Sequence, residues 1–213
     1  MSKKGGKMTP RTKEQNEAIR RRRILQIKET AANVYLEKGL QMEMGDIAKA
    51  AELGRGTIYH YYNNKLSLLE ELLDDAFDEA EKITSAAITE DTSPIVRLEQ
   101  YAVHFMERCL EKPFIYILYK NFLYGTETIP VRNIDKLRGE FQTNLYSPII
   151  KVMKEGVACK EIMGIDADTA CNFFFGSLIG TIASQVKNRK MIQTLQPNWA
   201  KEIVTMLIKG IKR

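Results

Sequence analysis

At 213 residues and a formal net charge of +5, the chain is long enough for one large helical domain or for a small domain joined to a larger one. The charge is uneven: through Lys65 there are 14 Lys and Arg against 7 Asp and Glu, a balance of +7, while the remainder holds 18 against 20, a balance of −2. Cys109, Cys159 and Cys171 are odd in number and widely spaced, with only His60 and His104 as imidazole partners, which argues against a metal site and against a disulfide framework.

The basic start, with Lys3, Lys4, Lys7 and Arg11 among two glycines and a proline, predicts a disordered tail over residues 1–11. It carries no secretory apolar run. Thr12 and Gln15 have capping-box spacing, and neither proline nor glycine follows until Gly39, so one long first helix is expected. Its inner face is Ile24, Ile27, Ala31, Val34 and Tyr35, and Gly39 is placed to end it. Arg20 to Arg23 sample every side of that helix, so only one or two of them can face a polyanion; which ones the sequence leaves open, and Arg22 is taken as the candidate.

Ile47, Ala48 and Ala51 have the spacing of one helix face. Leu53 and Gly54 interrupt that period, and Ile58 with Tyr62 restart it four residues apart. Two short helices crossing over a shared apolar contact form a helix-turn-helix. The side chains left over on the second, Arg55, Thr57, Tyr59, His60 and Tyr61, are donors, acceptors and flat rings suited to phosphates and base edges. These residues predict a double-stranded DNA partner, and the basic first third supplies the electrostatics.

Asn64 is placed to cap a fourth helix along which Leu69, Leu72, Leu73, Ala76, Ala80 and Ile83 keep the helical period. Ser93-Pro94 and Pro113 read as later helix starts, Gly125 with Pro130 as a break, and Asp166 and Asn198 as further N-caps. About nine helices and no strand are expected, because the run Phe173 to Phe175 lies within helical spacing from Ala167 to Gln185. The fold class is all-α: a helix-turn-helix domain at 12–66 and a larger helical bundle at 67–213. Phe173 to Val186, the most apolar stretch, is too short and too polar to span a bilayer, so no membrane partner and a cytoplasmic location are expected.

Residues 101 to 146 hold half of the 18 aromatics. They either fill a core or line a cavity for a drug-like, aromatic or acyl molecule, and several tyrosine hydroxyls among them need partners. Gly176, Gly180 and Ser184 form a small-residue stripe that admits a neighbouring helix, either from a second copy or from the same chain. Trp199, Ile203 and Leu207 are the apolar positions of the last helix.

The segments Ala31-Ala32-Asn33-Val34-Tyr35-Leu36-Glu37-Lys38-Gly39, Asp46-Ile47-Ala48-Lys49-Ala50-Ala51 and Gly56-Thr57-Ile58-Tyr59-His60-Tyr61-Tyr62, followed by Lys65, resemble the tetracycline-repressor (TetR) family of bacterial transcription regulators. In that family these stretches read AAxxLFxxKG-like, DIAxxAG-like and GTLYxYF-like. The resemblance implies DNA contacts at Arg55, Gly56, Thr57, Tyr59, His60, Tyr61 and Lys65, the last with a phosphate. It also implies buried roles for Leu53, Ile58 and Tyr62. No hydroxyl residue among Met42 to Gly45 opens the second helix, and Gly54 stands where Ser or Thr commonly opens the third.

The same resemblance makes the middle of the body an effector pocket, with Tyr101, Phe105, Cys109, Tyr116, Tyr119, Phe122, Phe141, Tyr146 and Phe174 as its candidates. It makes the last two helices a homodimer interface through Gly176, Gly180, Ser184, Trp199, Ile203 and Leu207. The implied function is a ligand-responsive repressor, released from a palindromic operator by a lipophilic or aromatic small molecule, with no cofactor and no catalysis. No GxSxG, HExxH or glycine-rich phosphate loop is present. A rival reading is a helical carrier of lipophilic molecules whose basic head meets membrane surfaces; it leaves the turn at Leu53-Gly54 without a purpose.

Overall fold

A computed structural model describes residues 12–89, 91–125, 129–187 and 198–213. The expected tail at 1–11 lies outside them. Nine helices make up the described chain: α1 (Lys13–Lys38), α2 (Met44–Ala50), α3 (Arg55–Tyr61), α4 (Lys65–Thr89), α5 (Pro94–Glu111), α6 (Pro113–Tyr124), α7, α8 (Ala167–Lys187) and α9 (Trp199–Ile211). The rod α7 runs through Ile134–Glu140, a π-helical segment Phe141–Tyr146 and Ser147–Ala158. No strand occurs among the described residues; one antiparallel bridge, Ile162 with Lys212, pins the chain end.

Local chemistry explains the boundaries. Thr12 and Gln15 cap α1 reciprocally, each side chain accepting the other's amide at 3.2 and 3.1 Å. Gly39 stops α1 at φ +55°, a backbone setting that glycine adopts without Cβ strain. Asn64 accepts the Ser67 amide at the start of α4, and Asp166 accepts the Thr169 amide at the start of α8. Pro94 and Pro113 sit in first turns, where their missing N–H removes no helical bond. Asn198 occupies the N-cap of α9, but its side chain makes no capping bond, contrary to the expected role.

The head packs α1, α2 and α3 on the first turns of α4. Ile27, Ala31, Ile47, Ile58, Leu68 and Leu69 are fully or almost fully buried there, each side chain of Leu or Ile size contributing about 1.5–3 kcal/mol of transfer free energy. Leu53, expected to be buried, is only half-buried because it rides on the rim of the α2–α3 turn. The helix α4 serves both regions, since Leu68, Leu69 and Leu72 face the head and Ala80, Ile83 and Thr84 face the body. Two contacts lock the regions together. Lys28 donates to Glu71 and Asp75 of α4 at 2.7 Å each, and the rings of Tyr35 and Phe114 lie 5.4 Å apart.

Candidate nucleic-acid interface

The second helix has no hydroxyl to cap it, and Asp46 substitutes by turning back to accept the Glu43 amide at 2.9 Å. The same carboxylate receives the Lys38 ammonium at 2.6 Å. Lys38 first, then the Glu43 amide, hold the Asp46 carboxyl below its ordinary value.

The α2–α3 turn closes with the Leu53 amide donating to Ala48 O at 2.9 Å and places Glu52 at φ +55°. The DIAxxAG-like pattern has glycine at this point. A glutamate in left-handed backbone was not foreseeable from its residue type, and it strains the turn. Gln26 adds a brace, donating to Ala51 O at 3.0 Å while accepting from Arg23 at 2.8 Å.

The third helix starts at Gly54 without a side-chain cap. Its inner side is Ile58, fully buried, and Tyr62 seals its end at 5 % exposure. The outer flank presents Arg55, Gly56, Tyr59 and His60 to solvent, with Tyr59 at 50 % exposure. Thr57 is half-buried. So is Tyr61, which packs against the core and meets the His60 ring edge-on at 5.1 Å.

The guanidinium of Arg55 lies across Gly45, where a Cβ would come within 2.9 Å of Nη2; glycine is what allows the approach. Together Met42 to Gly45, Arg55, Tyr59 and Lys65 line a hollow of about 300 Å³. Lys65 donates to Leu40 O at 2.8 Å, so its ammonium fastens the α1–α2 connection and keeps two further donors. Of the four arginines of α1, Arg22 is exposed, Arg21 pairs with Glu17 at 3.4 Å, and Arg23 is turned towards Gln26.

In the body, Tyr101, Phe105, Cys109, Tyr116, Tyr119, Phe141 and Phe174 are buried, while Phe122 and Tyr146 are half-buried. The rings touch one another: Phe105 and Tyr119 centroids are 4.6 Å apart, Tyr119 and Phe141 5.1 Å, Phe122 and Phe141 5.2 Å, and Tyr101 and Phe174 6.2 Å. In this conformation they are a packed core. Sequence reading missed Phe175, which contacts Tyr101, Tyr119 and Tyr146; its position in the FFF run was the signal. Tyr116 sits apart from the others, on a hollow of 540 Å³ shared with Tyr35 to Gln41.

On the last two helices, Gly180 and Ser184 are exposed, Gly176 is half-buried, and Trp199 and Ile203 are half-buried. Leu207 is turned into its own chain at 7 % exposure, so it is not an available interface residue in this subunit. One position earlier on the rod, Met206 is 71 % exposed, and Phe173, in line with Gly180 and Ser184, is 50 % exposed. No helix among the described residues is long and apolar enough to cross a membrane, and they hold no cluster of three or more His, Cys, Asp or Glu that could take a metal.

A short helix anchored on its inner side and polar on its outer one, braced by a second helix, defines a helix-turn-helix DNA-binding regulator. Residues 27–72 match the family model of bacterial regulatory proteins, tetR family. The chain is 26 % identical over 152 residues to the transcriptional repressor KstR2 of Mycolicibacterium smegmatis, covering 71 % of each protein. Its fold is similar to that of the ketosteroid regulator KstR2 of Mycobacterium tuberculosis, with TM-score 0.66, 19 % identity and coverage of 90 % of this chain and 95 % of that one. It is also similar to FadR of Bacillus subtilis, solved in complex with stearoyl-CoA, with TM-score 0.59, 22 % identity and coverage of 88 % and 98 %. The match to that family covers residues 27–72, and the likeness to KstR2 and FadR extends the shared fold over most of the chain.

Proposed function

We propose that the chain works as a homodimeric repressor whose two α3 helices read a palindromic operator and whose body releases it on binding a lipophilic or aromatic molecule. The carrying observation is the two-sidedness of α3: Ile58 and Tyr62 fasten it, and Arg55, Tyr59 and His60 stand free on the other flank. In this reading Arg55, Gly56, Thr57, Tyr59, His60 and Tyr61 lie in or along the major groove, while Lys65 and Arg22 meet phosphates. The hollow between Gly45, Arg55, Tyr59 and Lys65 suits a phosphate because two cations and a phenol line it against the single carboxylate of Glu43.

Residues 12–66 form the reading head and 67–213 the sensing and pairing body. The exposed side of α8 and α9, with Phe173, Gly180, Ser184, Ile203 and Met206, is the pairing face. The stearoyl-CoA bound by FadR and the steroid link in the name of the mycobacterial KstR2 favour a lipophilic effector, as do the aromatic residues of the body. A ligand that binds one dimer geometry more tightly shifts the spacing of the heads, and a coupling of about 1–3 kcal/mol changes DNA affinity roughly 5- to 150-fold.

The test is a footprint of the full-length protein on DNA flanking its own gene, with and without lipophilic compounds. Two protected half-sites about 34 Å apart are expected. Equal binding to all randomised oligonucleotides at moderate salt would overturn the reading.

A further inference from the structure

Three hydroxyls meet in the otherwise apolar centre of the body. Tyr101 and Tyr119 share one hydrogen bond at 3.0 Å, both phenols being nearly inaccessible. Thr84 of α4, 1 % exposed, has its Oγ1 sealed from solvent without a well-formed hydrogen bond, yet it lies near enough to both phenols to favour their ionised forms. Burial dominates that influence and pushes both phenols above their ordinary value, so they remain O–H donors.

Each hydroxyl offers one donor and two acceptor sites. The Tyr101–Tyr119 bond consumes a single donor, which leaves one phenolic O–H and the Thr84 O–H unspent in a low-dielectric interior, where an unmatched polar group costs about 1–3 kcal/mol. An arrangement with two idle donors side by side matches one carbonyl oxygen, which accepts two. A hydroxyl oxygen also satisfies it.

Charge is absent from the surroundings. Among the described residues, the polar or charged side chains at least nine-tenths buried are Thr84, Arg97 and Asn121; Arg97 is committed to Glu155, and Asn121 donates to its own helix at Ile117 O. The neighbouring Cys109 thiol is pushed up by burial and stays neutral. A carboxylate brought here would lose its hydration and gain no counter-charge.

Space is the remaining requirement. The wall beside the trio is the π-helical segment Phe141–Tyr146, which carries Phe141 against Tyr119 and Tyr146 against Phe175. Segments with π geometry are rare and recur at functional sites. The anchor requires this wall to move, carrying Phe141 and Tyr146 aside.

We infer that Thr84, Tyr101 and Tyr119 together anchor the uncharged oxygen, a carbonyl or hydroxyl, of an otherwise apolar effector. The inference rests on the proposed reading of the body as a lipophilic sensor and adds the chemistry of its recognition point. It is tested on the full-length protein at pH 8 by headspace partition of 2-undecanone and of 1-chloroundecane of the same length, and by equilibrium dialysis of undecanoate. The ketone is expected to bind roughly tenfold tighter than the chloroalkane, with undecanoate weakest. Tyr119→Phe and Thr84→Val, checked for unchanged melting, are expected to lower ketone affinity about three- to tenfold each and leave the chloroalkane unmoved. Equal binding of ketone and chloroalkane by the unaltered protein overturns the anchor but leaves the lipophilic sensor standing, and so does a ketone preference untouched by either substitution. Binding of none of the three overturns both.

Discussion

The head and the body use their apolar side chains in opposite ways. In the head, a seven-residue helix commits one buried isoleucine and a terminal tyrosine to the core and leaves its outer flank exposed. In the body, rings pack on rings at 4.6–6.2 Å and enclose their own hydroxyls. On the proposed reading, recognition and stability are therefore separable in the first region and fused in the second. On that reading, substitutions on the exposed side of α3 change what is bound, whereas removal of a whole ring from the body changes whether it holds together.

The sharpest way to break that contrast is Phe105→Ala, which removes a fully buried ring touching Tyr101 and Tyr119. A loss of about 3–5 kcal/mol is expected, read as the shift in a denaturant midpoint. Arg55→Ala probes the other side: operator affinity is expected to fall by about 1–3 kcal/mol while the melting temperature stays put. A fall in melting temperature as large as that of Phe105→Ala would erase the distinction.

Lys65→Ala falls between the two regimes, because its ammonium both holds Leu40 O and faces the hollow beside Arg55. The slope of log affinity against log salt should flatten by about one unit, whatever the DNA sequence. An unchanged slope in gel-shift titrations would remove the phosphate contact.

A smaller effect concerns the clamp between α4 and the α5–α6 corner. Glu79 is held down to about 2 by Arg108, with Lys82 and Lys112 assisting, against an ordinary value of 4.5. Since the folded value lies below the unfolded one, the stabilisation is complete above the unfolded value and drains away as pH falls through about 2. After allowance for solvent screening, Glu79→Gln is expected to cost about 1 kcal/mol near pH 7. The gap between variant and parent should close in acid, as seen in melting curves at stepped pH. Glu52→Gly is expected to do the reverse on the smallest scale. Relieving the left-handed residue should raise stability by about 0.5–1 kcal/mol without altering DNA affinity.

Much of the head was legible in residue order because its determinants are local. Capping at Thr12, the stop at Gly39, the cap at Asn64 and the interrupted apolar period around Leu53 all act within a few residues. The exposed flank of α3 followed from the same period, and Arg55, Tyr59 and His60 do lie on it. Tyr61 lies half inside, because its turn of the helix brings it against the core. The glycine of the DIAxxAG-like pattern was the one signal for the left-handed Glu52, since nothing in a glutamate itself announces positive φ. Leu207 was misassigned to an outer face since a small phase error on a helix exchanges it with Met206.

Residue spacing alone established an all-helical chain with a basic reading unit at its front, because helix periods, caps and charge are carried by neighbours in the chain. Whether the aromatic residues of the body enclose a void or fill it, and which of their hydroxyls face one another, depends on contacts between side chains 17 to 35 positions apart, such as Thr84 with Tyr101 and Tyr119. Those contacts are settled by how five helices share one interior, and no local period encodes that.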